Sequence, residues 1–282
     1  MKTYLDCIPC FFRQALQAAR LAEADEDTQR QILVMLGRQL ADFSLDSTPP
    51  EMGQILYSLV KNQVGQDPFK EIKEKSNRYA LDLYPELKNR VKNSSKPLRV
   101  AVRLAIAGNV IDYGVPRRFE LKEEIEEVLS SEYGIFQFKE LIQSLNRVEK
   151  VLYLADNAGE IVFDRILIEE LLREFKPELT VAVRGAPVIN DATLTDARQV
   201  GLDKLCRVVS NGSDAPGTLL NHCSPEFLNM YQTADLVISK GQGNFESLWG
   251  EKKNIFFLFK IKCDVVARHI GGREGDIVLL HD

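Results

Sequence analysis

The sequence predicts an α/β protein in three layers, a parallel sheet covered by helices on both faces, joined to an N-terminal α-helical bundle subdomain. Up to Gly114, apolar residues recur at intervals of three and four, the spacing of amphipathic helices. Beyond Gly114, short apolar runs alternate with helical patterns, which is the signature of βαβ units. Those runs are nearly continuous in apolar residues, as strands buried on both faces are. The expected division is a helical bundle over residues 1–114 and an α/β domain over residues 115–282.

The elements follow in order. Cys10 to Leu21 carries the first helical stripe, and Asp27 to Phe43 carries the second. Pro49-Pro50 breaks the chain before the third, "EMGQILYSLVKNQVG". Asp67-Pro68 reads as an N-cap followed by proline at the first helical position. It opens "FKEIKEKSNRYALDLY", with a break expected at Pro85. From Lys88 a polar break leads to one more helix, and "RFELKEEIEEVLSSEYG" and "FKELIQSLNRV" read as two further helices. The expected strands are "KVLYLAD", "LTVAVRG", "CRVVSNG", "ADLVISKG", "NIFFLFKIK" and "DIVLLHD".

Bulk properties narrow the function. The chain has 282 residues, 45% hydrophobic and 27% charged, with a net charge of −5. An acidic balance argues against a nucleic-acid partner, which usually demands a basic excess. No apolar run approaches the roughly 20 residues of a membrane span, so no membrane partner is expected. The N-terminus lacks a long apolar core and a small-residue cleavage site, so it reads as mature protein and the cytoplasm is the default compartment. The 5 cysteines, Cys7, Cys10, Cys206, Cys223 and Cys263, form no disulfide framework. Cys7 and Cys10 make a C-x-x-C without a second pair at zinc-site spacing, and read as half-buried thiols at a helix start.

Ligands of open α/β sheets bind beyond the carboxyl ends of the strands. After "VLYLA" come Asp156, Asn157, Gly159 and Glu160; after "VAV" come Arg184, Asn190, Asp191 and Asp196. After "RVV" come Ser210, Asn211 and Asp214; after "LVI" come Lys240, Gly241, Gly243, Asn244 and Glu246. Any one of these loops reads as turn and cap chemistry. Four at one sheet edge converge on one crevice.

Asp156, Asn157 and Asp191 offer hard oxygen ligands without histidine or cysteine, a set suited to Mg²⁺ or Mn²⁺ rather than Zn²⁺. Lys240 is a compact charge suited to a phosphate oxygen, and its glycine neighbours would let backbone N–H groups approach an anion. The chemistry implied is phosphoryl transfer to water assisted by a metal ion. Arg184 could share the charge with Lys240. A metal-activated water or Asp156 itself could attack, and both routes stay open. Asp196 and Glu160 are candidate bases, each alternatively a helix cap or a surface charge. The motifs of P-loop kinases, dinucleotide-binding folds and nucleophile elbows are absent from the sequence.

At these residues the chain resembles the metal-dependent damage-control phosphatases, the ARMT-like domain family. The resemblance rests on "GNVIDYG" from Gly108, "DNAGE" from Asp156, "RGAPVINDAT" from Arg184, "DAPGT" from Asp214 and "KGQGNFE" from Lys240. "DCIPC" and "KCDVVA" match a compact prokaryotic branch that carries the C-x-x-C. The resemblance implies a Rossmann-like α/β domain beside a helical bundle. It implies a divalent metal (Mn, Mg, Co or Ni) on Asp156, Asn157 and Asp191, and a sugar phosphate or related phosphometabolite as substrate. Asp156, Asp191 and Lys240 are then the catalytic set. Asn109 and Asp112 would reach the site from the helical part, with Arg184, Lys240, Asn244 and Glu246 as further substrate contacts. Self-association into a homo-oligomer is compatible with this reading. Within the branch, Cys7, Cys10 and Cys263 are expected near the crevice, to bind metal, to sense redox state or simply to pack.

Two rival functions accompany the phosphatase reading. One is an S-adenosylmethionine-dependent protein-carboxyl methyltransferase. Such sites use a glycine-rich first turn and an acid at the end of the second strand, where this sequence has a single glycine in "DNAGE" and Arg184. The other is a non-catalytic phosphometabolite-binding protein, which needs the pocket without the metal.

Overall fold

A computed structural model describes residues 1–108, 125–130 and 134–282. The boundary expected at residues 114 and 115 lies outside the described residues, as do Asn109 and Asp112. Five helices come first: α1 (Cys7–Leu21), α2 (Glu26–Asp42), α3 (Pro49–Val64), α4 (Lys70–Lys92) and α5 (Pro97–Ala107). Residues 125–130 are helical. The α/β part then runs β1 (Ile135–Phe136), α6 (Phe138–Leu145), β2 (Lys150–Leu154), α7 (Glu160–Glu174), β3 (Glu178–Val183), α8 (Leu194–Gln199), β4 (Arg207–Ser210), α9 (Pro225–Thr233), β5 (Leu236–Lys240), α10 (Gln242–Leu248), β6 (Ile255–Lys260), α11 (Asp264–Ile270) and β7 (Ile277–His281).

The prolines act differently from expectation. Pro49 and Pro50 are the first turn of α3, where their missing N–H groups cost nothing, and Thr48 and Glu51 close a capping box before them. Asp67 accepts from the Phe69 N–H at 2.9 Å as a turn residue, and α4 starts after Pro68, at Lys70. Pro85 does not end its helix: α4 continues to Lys92. Leu83, Leu87 and Val91 bury one continuous face across the proline, and that packing outweighs the lost hydrogen bond.

The sheet has seven strands in the order β1-β7-β6-β5-β2-β3-β4. All neighbours are parallel except β6 and β7. That antiparallel pair departs from the all-parallel expectation for a local reason. Ile261 N–H donates to Asp276 O and Gly275 N–H to Ile261 O, both at 2.9 Å, so the chain turns back at the carboxyl end of β6 and re-enters the sheet there. The two-residue β1 is too short to register as a strand in the sequence.

Strand residues alternate between two cores. Val151, Tyr153, Val181, Val183, Ile238 and Leu258 pack with α5 and α7, while Leu152, Leu154, Ala182, Val237 and Phe257 pack with α9, α10 and α11. A third cluster joins α1, α2 and α3 and takes in Val188 and Ile189 from the segment after β3. Through it the N-terminal helices rest on the loop that carries Asp191. Among the described residues, no helix is long and apolar enough to cross a membrane.

Candidate active site

Strand order reverses between β2 and β5: β3 and β4 lie to one side of this pair, β6 and β7 to the other. A crevice opens at such a reversal, beyond the carboxyl ends of the strands. Here β2 delivers Asp156 and Asn157, and β5 delivers Lys240 and Gly241. A cleft of about 620 Å³ lies over this edge, walled by Asp156, Asn157 and Asp191 together with residues of α1, α3, α10 and α11.

The loops after β2 and β3 are zipped together, which brings Asp191 to the first two residues. Asn157 and Asp191 form an antiparallel bridge. Ala192 N–H donates to Asp156 O at 2.7 Å, and Ala158 N–H donates to Asn190 O at 2.8 Å. Ile189 has a φ of +45°, a strained value for a β-branched residue, at the tight turn before Asp191. Gly159, with φ +78°, then lets the chain enter α7 directly after the Asp156-Asn157 pair. Its N–H donates to Asn77 Oδ1 of α4 at 2.7 Å, and Asn77 Nδ2 donates to Asp196 at 2.8 Å. Asn77 thus pins the loop from the helical layer. A single polar residue inside an amphipathic helix gave no sequence signal for that role.

Behind the cleft wall, Arg184 reaches Asp191 with its Nε at 2.5 Å and Asp156 with a terminal nitrogen at 3.6 Å. That same nitrogen, Nη2, donates to Asn244 Oδ1 at 3.2 Å, Nη1 donates to Thr218 at 3.3 Å, and Asn244 donates to Lys240 O at 2.7 Å. Lys240 is fully buried, and its ammonium group donates to Glu160 at 2.5 Å, Asp164 at 2.6 Å and Ala105 O at 2.8 Å. Glu160 and Asp164 stand one turn apart on α7, an i, i+4 acidic pair facing one cation. The three donors of an ammonium group are filled by these contacts.

Of the residues expected in the site, the structure brings Asp156, Asn157, Asp191 and Glu246 to the cleft. Arg184, Asn244 and Lys240 form a buried layer behind it. Asp196 caps α8 through Thr193 and meets Asn77 and Lys73. Glu160 lies under Asn157, 3.4 Å from its side-chain nitrogen. Cys7, Cys10 and Cys263 all line the cleft as half-buried free thiols. So do Gln242 and Lys262, which the sequence reading did not single out.

The electrostatics follow from crowding. Burial, then the neighbouring Asp191 and Glu160 carboxylates, push the Asp156 carboxyl well above its ordinary range, with Arg184 and Lys262 opposing. Burial also raises Glu160 to about 7, against the pull of Lys240. Burial raises Glu246 to about 7, against its hydrogen bond from Gln242. Two buried carboxylates and a carboxamide converging on one cleft are a donor set for a hard divalent cation, whose charge would relieve the repulsion. Among the described residues, no group of three or more His, Cys, Asp or Glu side chains gathers to hold a metal. The candidate set is therefore the mixed one, two carboxylates and the Asn157 amide.

Comparison with known proteins adds a family. The damage-control phosphatase ARMT1-like domain matches residues 3–278. Damage-control phosphatase PH1575 of Pyrococcus horikoshii is 36% identical over 286 residues, covering 100% of this chain and 99% of its own. A damage-control phosphatase of Archaeoglobus fulgidus is 35% identical, covering 96% of each chain. The crystal structure of the Pyrococcus protein superposes with a TM-score of 0.92 at 35% identity, over 100% of this chain and 99% of that one.

Proposed function

This chain belongs to the damage-control phosphatase ARMT1-like domain family, and we propose that it is a divalent-metal-dependent phosphomonoesterase acting on a sugar phosphate or related phosphometabolite. The observation that carries the reading is the meeting of Asp156, Asn157 and Asp191 on the wall of a cleft of about 620 Å³. That volume suits a small metabolite. A divalent cation held by these three side chains would supply Lewis-acid polarisation of a phosphate oxygen.

The chain's own residues prepare the site. Arg184 orients the Asp191 carboxylate through Nε and draws Asp156 toward it. Asn77 fixes the Gly159 turn, and with it the direction of Asp156 and Asn157. Lys240 offsets one unit of the charge on Glu160 and Asp164, so the acids beneath the cleft repel an incoming phosphate dianion less. These groups are held in place before substrate arrives, which is how fixed charges stabilise a transition state most effectively.

The test is a matrix of phosphometabolites against Mn²⁺, Mg²⁺, Co²⁺ and Ni²⁺, run on the wild type and Asp191→Ala. Phosphate release that needs a metal and falls in the variant is the expected result. Full metal-dependent activity in Asp191→Ala would remove that residue from the metal set. Calorimetric binding of S-adenosylmethionine without phosphate release would favour a methyltransferase. Phosphometabolite binding without turnover on any metal would favour a non-catalytic binding protein.

A further inference from the structure

The loop after β4, "SNGSDAPGT" from Ser210 to Thr218, gives no side chain to the candidate metal set, yet it is firmly built. Ser213 O accepts from Gly185 N–H at 2.7 Å, and Asn211 Oδ1 accepts from Ser213 N–H at 2.9 Å. Gln54 of α3 donates to Asp214. The loop ends on Thr218, which is buried and lies outside the cleft lining. A hydroxyl has one proton, and Thr218 gives it to Asn244 Oδ1 at 2.8 Å. It therefore meets Arg184 as an acceptor, taking the Nη1 donor at 3.3 Å. The orientation of the Asn244 amide is set in turn, because its nitrogen donates to Lys240 O at 2.7 Å and to Ala155 O at 3.4 Å. A flipped amide would set its oxygen against those two carbonyls.

We infer that Thr218 is a positioning residue for the metal carboxylates: its hydroxyl holds the Arg184 guanidinium in the plane that aims Asp191 and Asp156 at the cleft. The inference rests on the metal-dependent reading of the site. A guanidinium is flat and turns as a unit, so a partner on one nitrogen fixes the direction of all three. Arg184 presents Nε to Asp191 at 2.5 Å and Nη2 to Asp156 at 3.6 Å. Thr218 on Nη1 and Asn244 on Nη2 hold the same group from the loop after β4 and from α10. Among the described residues, Thr218 is the hydrogen-bond partner of Nη1. Without its hydroxyl, Nη1 is a buried donor with no acceptor. A rotation that relieves that cost carries Nε and Nη2 away from the two carboxylates. The hydrogen bonds of the Thr218 hydroxyl go to Arg184 and Asn244, so its influence on Asp191 and Asp156 passes through Arg184.

The test is Mn²⁺ affinity by calorimetry on the full chain, with urea midpoints of the metal-free proteins measured beside it. Thr218→Val keeps the shape and removes the hydroxyl. It is expected to weaken Mn²⁺ by about 10- to 100-fold, the scale on which outer-shell partners act. Thr218→Ser keeps the hydroxyl and should stay within about threefold of the wild type. Thr218→Ala is read in the same way as the valine variant and brings no new bulk into the core. In an Arg184→Met background, Thr218→Val should add little further loss, because the group it acts through is gone. Three results would overturn the assignment. One is a Thr218→Val or Thr218→Ala protein with a lowered urea midpoint but wild-type Mn²⁺ affinity, which is packing alone. Another is a serine variant as weak as the valine variant. The third is a full additive loss in the Arg184→Met background. A wild type whose Mn²⁺ affinity depends on Thr218 but which releases phosphate from no ester would sink the phosphatase reading alone. A wild type that binds none of the four metals would overturn both.

Discussion

The Lys240 ammonium group lies 2.5 Å from a Glu160 oxygen and 2.6 Å from an Asp164 oxygen, and all three side chains are sealed from solvent. Removing the cation leaves two buried carboxylates without their counter-ion. Lys240→Met is expected to lower stability by roughly 3–5 kcal/mol. The triple change Lys240→Met, Glu160→Gln, Asp164→Asn should recover part of that loss, because it removes the uncompensated charges together. Denaturant midpoints measure both. A Lys240→Met protein as stable as the wild type would contradict the counter-ion role.

Gly241 guards the Asp156 carboxylate. At φ +81° it is in the left-handed region, and a Cβ there would sit 2.0 Å from Asp156 Oδ2. Gly241→Ala must therefore push the carboxylate out of place without touching a ligand. The expected loss in Mn²⁺ affinity is about 10- to 100-fold. Gly250→Ala is the control: its φ of +87° carries similar backbone strain, but nothing lies within 4 Å of the added carbon. Calorimetry that finds both variants binding Mn²⁺ equally well would remove the steric argument.

The strands were legible because their apolar runs are nearly unbroken, and Asp156, Asn157 and Asp191 were legible because strand-end position alone predicts a shared crevice. What strand-end position does not say is whether a side chain faces the cleft or the core. Lys240 ends β5 with the buried Ser239 before it, and only the acidic pair on α7 shows that it points inward. Lys262 failed to register for the opposite reason, since a lysine in an exposed loop reads as a solvated charge. Pro85 misled because the buried face of α4 is a tertiary property.

Asn77 joins the two parts of the molecule at the site. It is fully buried, accepts from Gly159 N–H and donates to Asp196 and Gln199. Asn77→Ala strands those groups, at an expected cost of about 1–3 kcal/mol. Turnover should fall further than the folded fraction does, because the Gly159 turn aims Asp156 and Asn157. A stability loss in urea with unchanged kcat in the folded protein would confine Asn77 to a packing role.

Glu246 offers a pH-dependent reading of the cleft. Burial raises its carboxyl from an ordinary 4.5 to about 7, with Gln242, the N-terminal ammonium and Lys262 pulling the other way. The native state thus holds this proton more tightly than the unfolded chain. Its contribution to stability is present in full below about 4.5 and is lost as the pH rises through about 7. Glu246→Gln can keep the acceptor for Gln242 but has no proton to lose. Relative to the wild type it should gain on the order of 1–2 kcal/mol between pH 4.5 and 8, once screening at this part-solvated group is allowed for. Urea unfolding at both pH values measures the difference. Lys262→Ala should move the wild-type loss to higher pH, because it removes a charge that favours the ionised carboxylate. A stability difference between Glu246→Gln and wild type that is flat across this range would show that Glu246 is solvated rather than buried at the cleft.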